Sequence, residues 1–263
     1  MAGRLDGKVA LVTGGGGGVG EAAAKLFWDE GAQVMLVDVN QEAAATVARN
    51  IDPEGSRMAF TAADLSKEPE AERTVRETVK RFGKIDVLAN IAAVRVHGPI
   101  TEVTAESWDF VIGVNLLAVA FCSKFATIEM ARNGGGSIVN VSSANATVGR
   151  KGMAQYDATK NAVLALTRSM ACDHADDNIR VNAISPGPTL TQFHVRNRVK
   201  KTGETMEEAE AAMRAAGAPH TLMKRQAEPI EQAYALLFLA CHESSYVTGA
   251  NFAIDGGISG LRD

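Results

Sequence analysis

The sequence predicts an α/β fold, a single domain built on a doubly wound parallel sheet with helices on both faces. Three observations predict it. Short apolar runs alternate with longer amphipathic or alanine-rich stretches along the chain, which is the pattern of repeated strand–helix units. The first apolar run breaks directly into glycines. No internal repeat, linker or shift of composition divides the 263 residues, and one α/β domain of ordinary size fills that length.

Each element follows from its own residues. Val9-Ala10-Leu11-Val12 is apolar at every position, as a parallel strand buried on both faces must be. Val19 to Glu30 has helical spacing, and Gln33 to Val37 is a second strand ending at Asp38. Gln41 to Asn50 is an alanine-rich helix, and Met58 to Ala62 is a strand followed by Asp64. Glu68 to Phe82 is an amphipathic helix, Val87 to Ala89 a fourth strand, and Ser107 to Arg132 one long helix. Ser137 to Val141, Gln155 to Ala175 and Arg180 to Ile184 add strand, helix, strand. Pro229 to Ala240 is helical and Asn251 to Ile254 closes the sheet. The segment from Gln192 to Gln226 is polar, charged and poor in strand formers. It reads as an insertion that covers a cleft, with a short helix at Met206 to Ala216.

Composition narrows the function. Net charge is -4 at neutral pH, so the basic footprint of a nucleic-acid binder is absent. No apolar run is expected to reach the roughly 20 residues that span a bilayer. Arg4, Asp6 and Lys8 interrupt any secretory leader. Cys122, Cys172 and Cys241 are too few and too scattered for a disulfide framework or a zinc site. His97, His174, His194, His220 and His242 show no ligand spacing, so no metal is expected. The expectation is a cytoplasmic protein acting on a small molecule, without nucleic-acid or membrane partners.

Thr13-Gly14-Gly15-Gly16-Gly17-Gly18-Val19-Gly20 joins the first strand to the first helix. It contains G-x-G-x-x-G at Gly15, Gly17 and Gly20, and T-G-x-x-x-G-x-G at Thr13, Gly14, Gly18 and Gly20. Alone, such a run is a flexible linker. Between a strand and a helix it becomes a Rossmann-like phosphate loop, because glycines let backbone approach a pyrophosphate at the positive end of the helix. Asp38 ends the second strand about twenty residues on, where a carboxylate accepts from ribose hydroxyls and repels a 2′-phosphate. The expected cofactor is therefore NAD.

Tyr156 and Lys160 lie four apart in a helical stretch and share a face. An ammonium beside a phenol favours phenolate, and a tuned phenol exchanges a proton with an alcohol or carbonyl oxygen. The bare pair is ordinary helix surface. Its company changes that: Asn90, Ser142 and Ser143 follow strand ends, and ligands of open parallel sheets bind there.

With these motifs in order, the chain resembles the short-chain dehydrogenase/reductase family. The resemblance covers nearly the whole sequence. It rests on Thr13-Gly14-x-x-x-Gly18-x-Gly20, Asp64, Asn90-Ile91-Ala92-Ala93, Asn115, Ser143, Tyr156-x-x-x-Lys160 and Asn182-x-x-x-Pro186-Gly187. It implies that Tyr156 is the general acid/base, that Ser143 holds the substrate oxygen, and that Lys160 lowers the tyrosine pKa and binds the nicotinamide ribose. Asn115 would anchor a proton-relay water. Gly14, Gly18, Val19 and Gly20 would cradle the pyrophosphate. Asp64 and Leu65 would border the adenine, and Asn90 would hold cofactor and sheet. Pro186, Gly187, the Thr189 backbone and the Thr191 hydroxyl would meet the carboxamide. A homotetramer is also implied, pairing the long helices containing Asn115 and Tyr156.

Two departures stand out. Ile91 and Ala93 replace an asparagine and a glycine usual in the family, and Gly16 and Gly17 replace bulkier residues, which should loosen the loop. Ser143, Asn145, Met153 and Tyr156 are the expected substrate contacts. Val94, Arg95, His97, Arg150 and Pro188 are further candidate walls, with Arg95, His97 and Arg150 read first as facing solvent or a neighbouring subunit. Arg196, Arg198, Lys200 and Lys201 read as a solvated face. Met206, Met213 and Met223 line the lid or pack its helices. The leading reading is an NAD-dependent dehydrogenase of a secondary alcohol or its ketone. An NADPH-dependent ketone reductase and a non-catalytic NAD-binding protein are the alternatives.

Overall fold

A computed structural model describes residues 3–260. Seven parallel strands form one sheet in the order β3-β2-β1-β4-β5-β6-β7. They are β1 Val9–Thr13, β2 Gln33–Asp38, β3 Met58–Ala62, β4 Val87–Asn90, β5 Gly136–Val141, β6 Ile179–Pro186 and β7 Asn251–Ile254. The helices are α1 Gly18–Asp29, α2 Gln41–Ile51, α3 Glu68–Phe82, α4 Ala105–Ile112, α5 Ala118–Arg132, α6 Ala154–Asp173, α7 Gln192–Thr202, α8 Met206–Ala216 and α9 Pro229–Ala240. The expected α/β class, its parallel sheet and its single-domain layout are all present.

Two apolar layers flank the sheet. On one side Phe27 of α1, Val47 of α2 and Leu236 and Leu237 of α9 pack with Ala10 and Val12 of β1. On the other, Val75 of α3, Cys122, Ala126 and Met130 of α5 and Met170 of α6 pack with Leu11. Successive residues of β1 thus feed opposite layers, which is why Val9 to Val12 are all apolar and the one polar residue, Thr13, comes at the strand end. The strand order reverses between β1 and β4. A doubly wound sheet opens its ligand crevice at such a switch point, beyond the carboxyl ends of the strands.

Local signals set the helix limits. Pro and Glu occupy the first turn of α3, Lys80 and Arg81 its last, and Gly83 stops it in the left-handed region at φ 88. The expected long helix over 107–132 is continuous but not uniform: a π turn at Gly113–Leu117 separates α4 from α5. Together these segments, Ala105–Arg132, are long and apolar enough to cross a membrane by length and composition, with an 18-residue window of mean hydropathy 1.9. This corrects the expectation that no run reaches that length. The helix spends its apolarity on the core, since Val111, Ala118, Cys122, Ala126 and Met130 are buried in the protein.

The insertion is more regular than its polarity suggested. The expected helix at Met206–Ala216 is α8, opened by a Thr205–Glu208 capping box. A second helix, α7, had no apolar stripe to announce it. Val195 is its one buried residue, and it packs with Leu190 and Ala209. Gly203 ends it at φ 75, and Arg198 pairs with Glu204 just beyond, Nε to Oε2 at 2.7 Å.

Candidate active site

The carboxyl ends of β1, β2, β4, β5 and β6 carry the expected residues. Thr13 closes β1, and its hydroxyl accepts from the Ile91 and Ala92 N–H groups at 2.9 and 3.1 Å. That clamp holds the mouth of the crevice between β1 and β4. Gly14 lies beside it at φ 69, and a side chain there would meet the Ala92 backbone at 2.9 Å. At Gly20 an added Cβ would lie 2.0 Å from the Gly14 carbonyl oxygen. Only glycines allow α1 to start this close to the loop. An added Cβ at Gly17 meets nothing within 4 Å, so the loop's outer side is open. The residues present therefore fit a pyrophosphate at the α1 N-terminus.

Asp38 does more than end β2. Its Oδ2 accepts from the Gly16 N–H at 3.0 Å and its Oδ1 from the Asn40 N–H at 2.9 Å. A side chain on Gly16 would press on that carboxylate at 2.8 Å. The extra glycine thus buys a direct tie between loop and carboxylate. Ile91, in place of the usual amide, packs against the α1/α9 layer.

Several expected cofactor residues do structural work. Asn90 donates from Nδ2 to Ser123 Oγ at 3.2 Å and Asn140 Oδ1 at 2.9 Å, so its amide binds β4 to α5 and β5. The Leu65 side chain is buried in the α3/α5 layer. Asp64 Oδ1 accepts from the Ser66 N–H and hydroxyl. The Gly187 N–H donates to the Ile254 carbonyl at 3.0 Å, tying β6 to β7 after Pro186. Thr191 overhangs the loop, 3.3 Å from a Cβ added at Gly18.

Two α6 residues, Tyr156 and Lys160, are buried side by side. Tyr156 is 4% exposed and Lys160 1%. Lys160 Nζ donates to the Val141 carbonyl at the end of β5, 2.7 Å away, and lies 5.8 Å from the Tyr156 ring centroid. Ser143, not Ser142, is the serine that acts on the Tyr156 phenol. Ser142 instead donates to the Lys160 carbonyl at 2.7 Å, so it braces α6. Burial alone would raise the Tyr156 phenol, but the Lys160 and Arg95 charges and the Ser143 hydrogen bond outweigh it and pull the phenol below its ordinary value. Burial also holds the Lys160 ammonium below its ordinary value, opposed by Tyr156.

Asn115 sits fully buried in the π turn. Its Oδ1 accepts from the Val94 N–H at 2.8 Å, and its Nδ2 donates to the Val94 carbonyl at 3.0 Å and Thr159 Oγ1 at 3.2 Å. The side chain fixes the strand-end loop to α6. A π turn at such a position is a recurrent feature of functional helices.

The candidate substrate wall is built from mixed surroundings. Met153 is buried at the N-terminal end of α6. Arg95 is exposed, as read from sequence, and its guanidinium carbon also lies over Tyr156, 5.1 Å from the ring centroid. Asn145 stays at the rim, its N–H donating to Ser143 Oγ at 3.2 Å. His194 is the residue that sequence reasoning missed. It touches Thr189, Thr191 and Arg95, and no motif marks it. Among the lid methionines, Met213 packs against the Val195 cluster, while Met206 and Met223 are exposed. Cys122 is core, whereas Cys172 lies on the exposed face of α6.

Comparison with known proteins decides the family. The family model described as enoyl-(acyl carrier protein) reductase matches residues 15–259. A short-chain dehydrogenase/reductase of Aspergillus oryzae is 37% identical, over 97% of this chain and 96% of its own. The chain belongs to the short-chain dehydrogenase/reductase family. The meso-2,3-butanediol dehydrogenase of Serratia marcescens is 39% identical, over 97% and 95% of the two chains. The aldohexose dehydrogenase of Thermoplasma acidophilum superposes with a TM-score of 0.87 at 31% identity, over 100% and 98%. Levodione reductase does so with 0.87 at 32%, over 98% and 100%. This family member is an oxidoreductase that uses a nicotinamide cofactor.

Proposed function

We propose that this family member is an NAD-dependent dehydrogenase acting on a secondary alcohol or the matching ketone, with Tyr156 as general acid/base. The observation that carries the reading is the placement of Tyr156, buried with Ser143 at the carboxyl end of the sheet and with Lys160 Nζ 5.8 Å from its ring centroid, surroundings that pull the phenol below its ordinary pKa. The named relatives act on a butanediol, an aldohexose and levodione, which supports an oxygen-bearing carbon as the reacting centre. The family model's description names an enoyl reduction; a phenol and a serine hydroxyl turned to one point suit an oxygen better than an alkene carbon.

Bound nicotinamide supplies the hydride acceptor or donor. The protein's residues do the rest. Gly14, Gly18, Val19 and Gly20 form the pyrophosphate loop, Asp38 takes the adenosine ribose, and Asp64 with the Leu65 backbone borders the adenine. Pro186, Gly187, Thr191 and the Thr189 N–H face the carboxamide, while the Thr189 carbonyl receives His194. Ser143 orients the substrate oxygen. In oxidation Tyr156 takes the hydroxyl proton onto its phenolic oxygen, and in reduction it returns it. Lys160 favours the phenolate, and Asn115 holds the loop and α6 in register for proton exchange.

Asp38 supports NAD: a carboxylate at the end of β2, held by the Gly16 and Asn40 N–H groups, would accept from ribose hydroxyls and repel a 2′-phosphate. Absorbance of the reduced cofactor across a panel of diols, sugars, cyclic ketones and hydroxy acids tests the proposal. NADH formation with at least one alcohol, and tighter binding of NAD than NADP, is expected. A clear preference for NADP reverses the cofactor assignment, and NAD binding without turnover across the panel favours a non-catalytic role.

A further inference from the structure

The guanidinium over Tyr156 has no counter-ion. Among the described residues, no carboxylate forms an ion pair with Arg95 or Arg150. Elsewhere in the chain some guanidiniums do meet carboxylates: Arg198 pairs with Glu204, and Arg225 with Glu231. Arg95 is nevertheless held in place. Its Nη1 lies 2.9 Å from His194 Nε2. His194 Nδ1 lies 2.9 Å from the Thr189 carbonyl oxygen, which can only accept. The proton therefore sits on Nδ1, and Nε2 receives Arg95 as a neutral ring nitrogen. Burial first, then the Arg95 charge, holds that imidazole below its usual range. His194 orients the guanidinium without neutralising it.

More positive charge stands behind it. Arg150 lies within electrostatic reach of both Arg95 and Tyr156. His97 feels Arg150, Arg95 and Lys201 together. Asp157 is the carboxylate that feels both Arg150 and Arg95, and its Oδ2 already accepts from the Arg150 N–H at 3.1 Å. Two guanidiniums against one carboxylate leave an excess of positive charge at the open side of Tyr156. A guanidinium presents several donors in a fixed plane that matches a carboxylate, and a preoriented one loses little freedom on binding.

We infer that Arg95, oriented by His194 and supported by Arg150, is an anion subsite that takes the carboxylate of a short hydroxy acid or its oxo-acid partner. Because Arg95 also lies against the reacting phenol, the carboxylate and the reacting carbon are near neighbours, as in 2- and 3-hydroxy acids. This inference rests on the dehydrogenase reading and names its substrate class. The reaction balances as hydroxy acid plus NAD⁺ giving oxo acid, NADH and a proton. The carbinol C–H and O–H bonds break, the C=O bond forms, and the proton leaves through the Tyr156 oxygen.

The experiment compares 2-oxobutanoate and 3-oxobutanoate with their methyl esters, in the native protein and in Arg95→Met, Arg95→Lys and Arg150→Met. A ratio of kcat/KM, acid over ester, cancels any change in Tyr156 itself. We expect the native protein to prefer one acid by on the order of 10-fold, the contribution of a hydrogen bond to a charged group. The ratio falls to near one in Arg95→Met, recovers partly in Arg95→Lys and falls less in Arg150→Met. Equal turnover of acid and ester by the native protein, or a preference that survives Arg95→Met, overturns the inference while leaving the dehydrogenase reading intact. If neither acid nor ester reacts, calorimetric titration of the two anions with NADH present decides. Binding lost in Arg95→Met upholds the subsite, with the dehydrogenase reading decided by the wider panel, and no binding in the native protein overturns the subsite.

Discussion

Tyr156 is a poor base until its neighbours act on it, and the neighbours are separable. Lys160 contributes a charge, fixed by its bond to the Val141 carbonyl; Ser143 contributes a hydrogen bond, and Arg95 a second charge. A phenol acts as base in its deprotonated form, so oxidation should rise with pH through the lowered Tyr156 pKa and level off above it. Lys160→Ala removes the largest favourable influence. Its oxidation midpoint should move to higher pH, and its rate near neutrality should fall by about 100-fold or more. Rate profiles against pH for both proteins, with circular dichroism to verify folding, check this. An unmoved midpoint would mean that Lys160 does not tune the phenol. At this scale the sequence was informative about identity and less so about duty. The distance from Tyr156 separated Ser143 from Ser142, and the structure gives the two serines different jobs. Arg95 and His194 were obscure because their meaning lies in a contact across 99 residues of sequence, which no local pattern encodes.

Among elements, the β1–α1 connection is the most constrained. Gly20 is packed against the Gly14 carbonyl, and any side chain there forces the helix away from the loop. Gly20→Ala should destabilise the protein by about 1–3 kcal/mol, the usual result of overpacking, and weaken NAD binding at the same time. Thermal melting and cofactor titration read both effects, and a variant unchanged in each would show that the close approach is unnecessary. The buried strands and the amphipathic α3 were legible because a single periodicity governs them. The α4–α5 helix was legible as a helix but not as a non-uniform one, since Gly113-Val114-Asn115 carries no breaker that forces a π turn. The α7 helix was hidden for the opposite reason. It is polar around most of its circumference and is held by Val195, its glycine stop and the Arg198–Glu204 pair.

At the scale of the molecule, the family resemblance implies a homotetramer, and the surface offers apolar area suited to it. Phe110, Leu117 and Ile128 are exposed on α4, the π turn and α5, and Tyr234 and Tyr246 are exposed beside the β7 edge. Patches of this kind on an otherwise charged protein mark association surfaces. Light scattering of the purified protein should give about four times the 27.7 kDa chain mass; a monomeric mass at micromolar concentration would contradict the assignment. Oligomeric state was legible only through resemblance, because one chain's sequence pattern describes its own core and leaves the use of its surface open.

The proton-transfer role of Tyr156 is the claim on which the rest depends. Tyr156→Phe keeps the ring, its packing and the contact with Arg95, and removes only the oxygen. Turnover of whichever alcohol the panel identifies, measured alongside NAD affinity, is the most direct test. The account predicts a loss of at least about 100-fold in kcat with cofactor binding retained. Native turnover in Tyr156→Phe would contradict it.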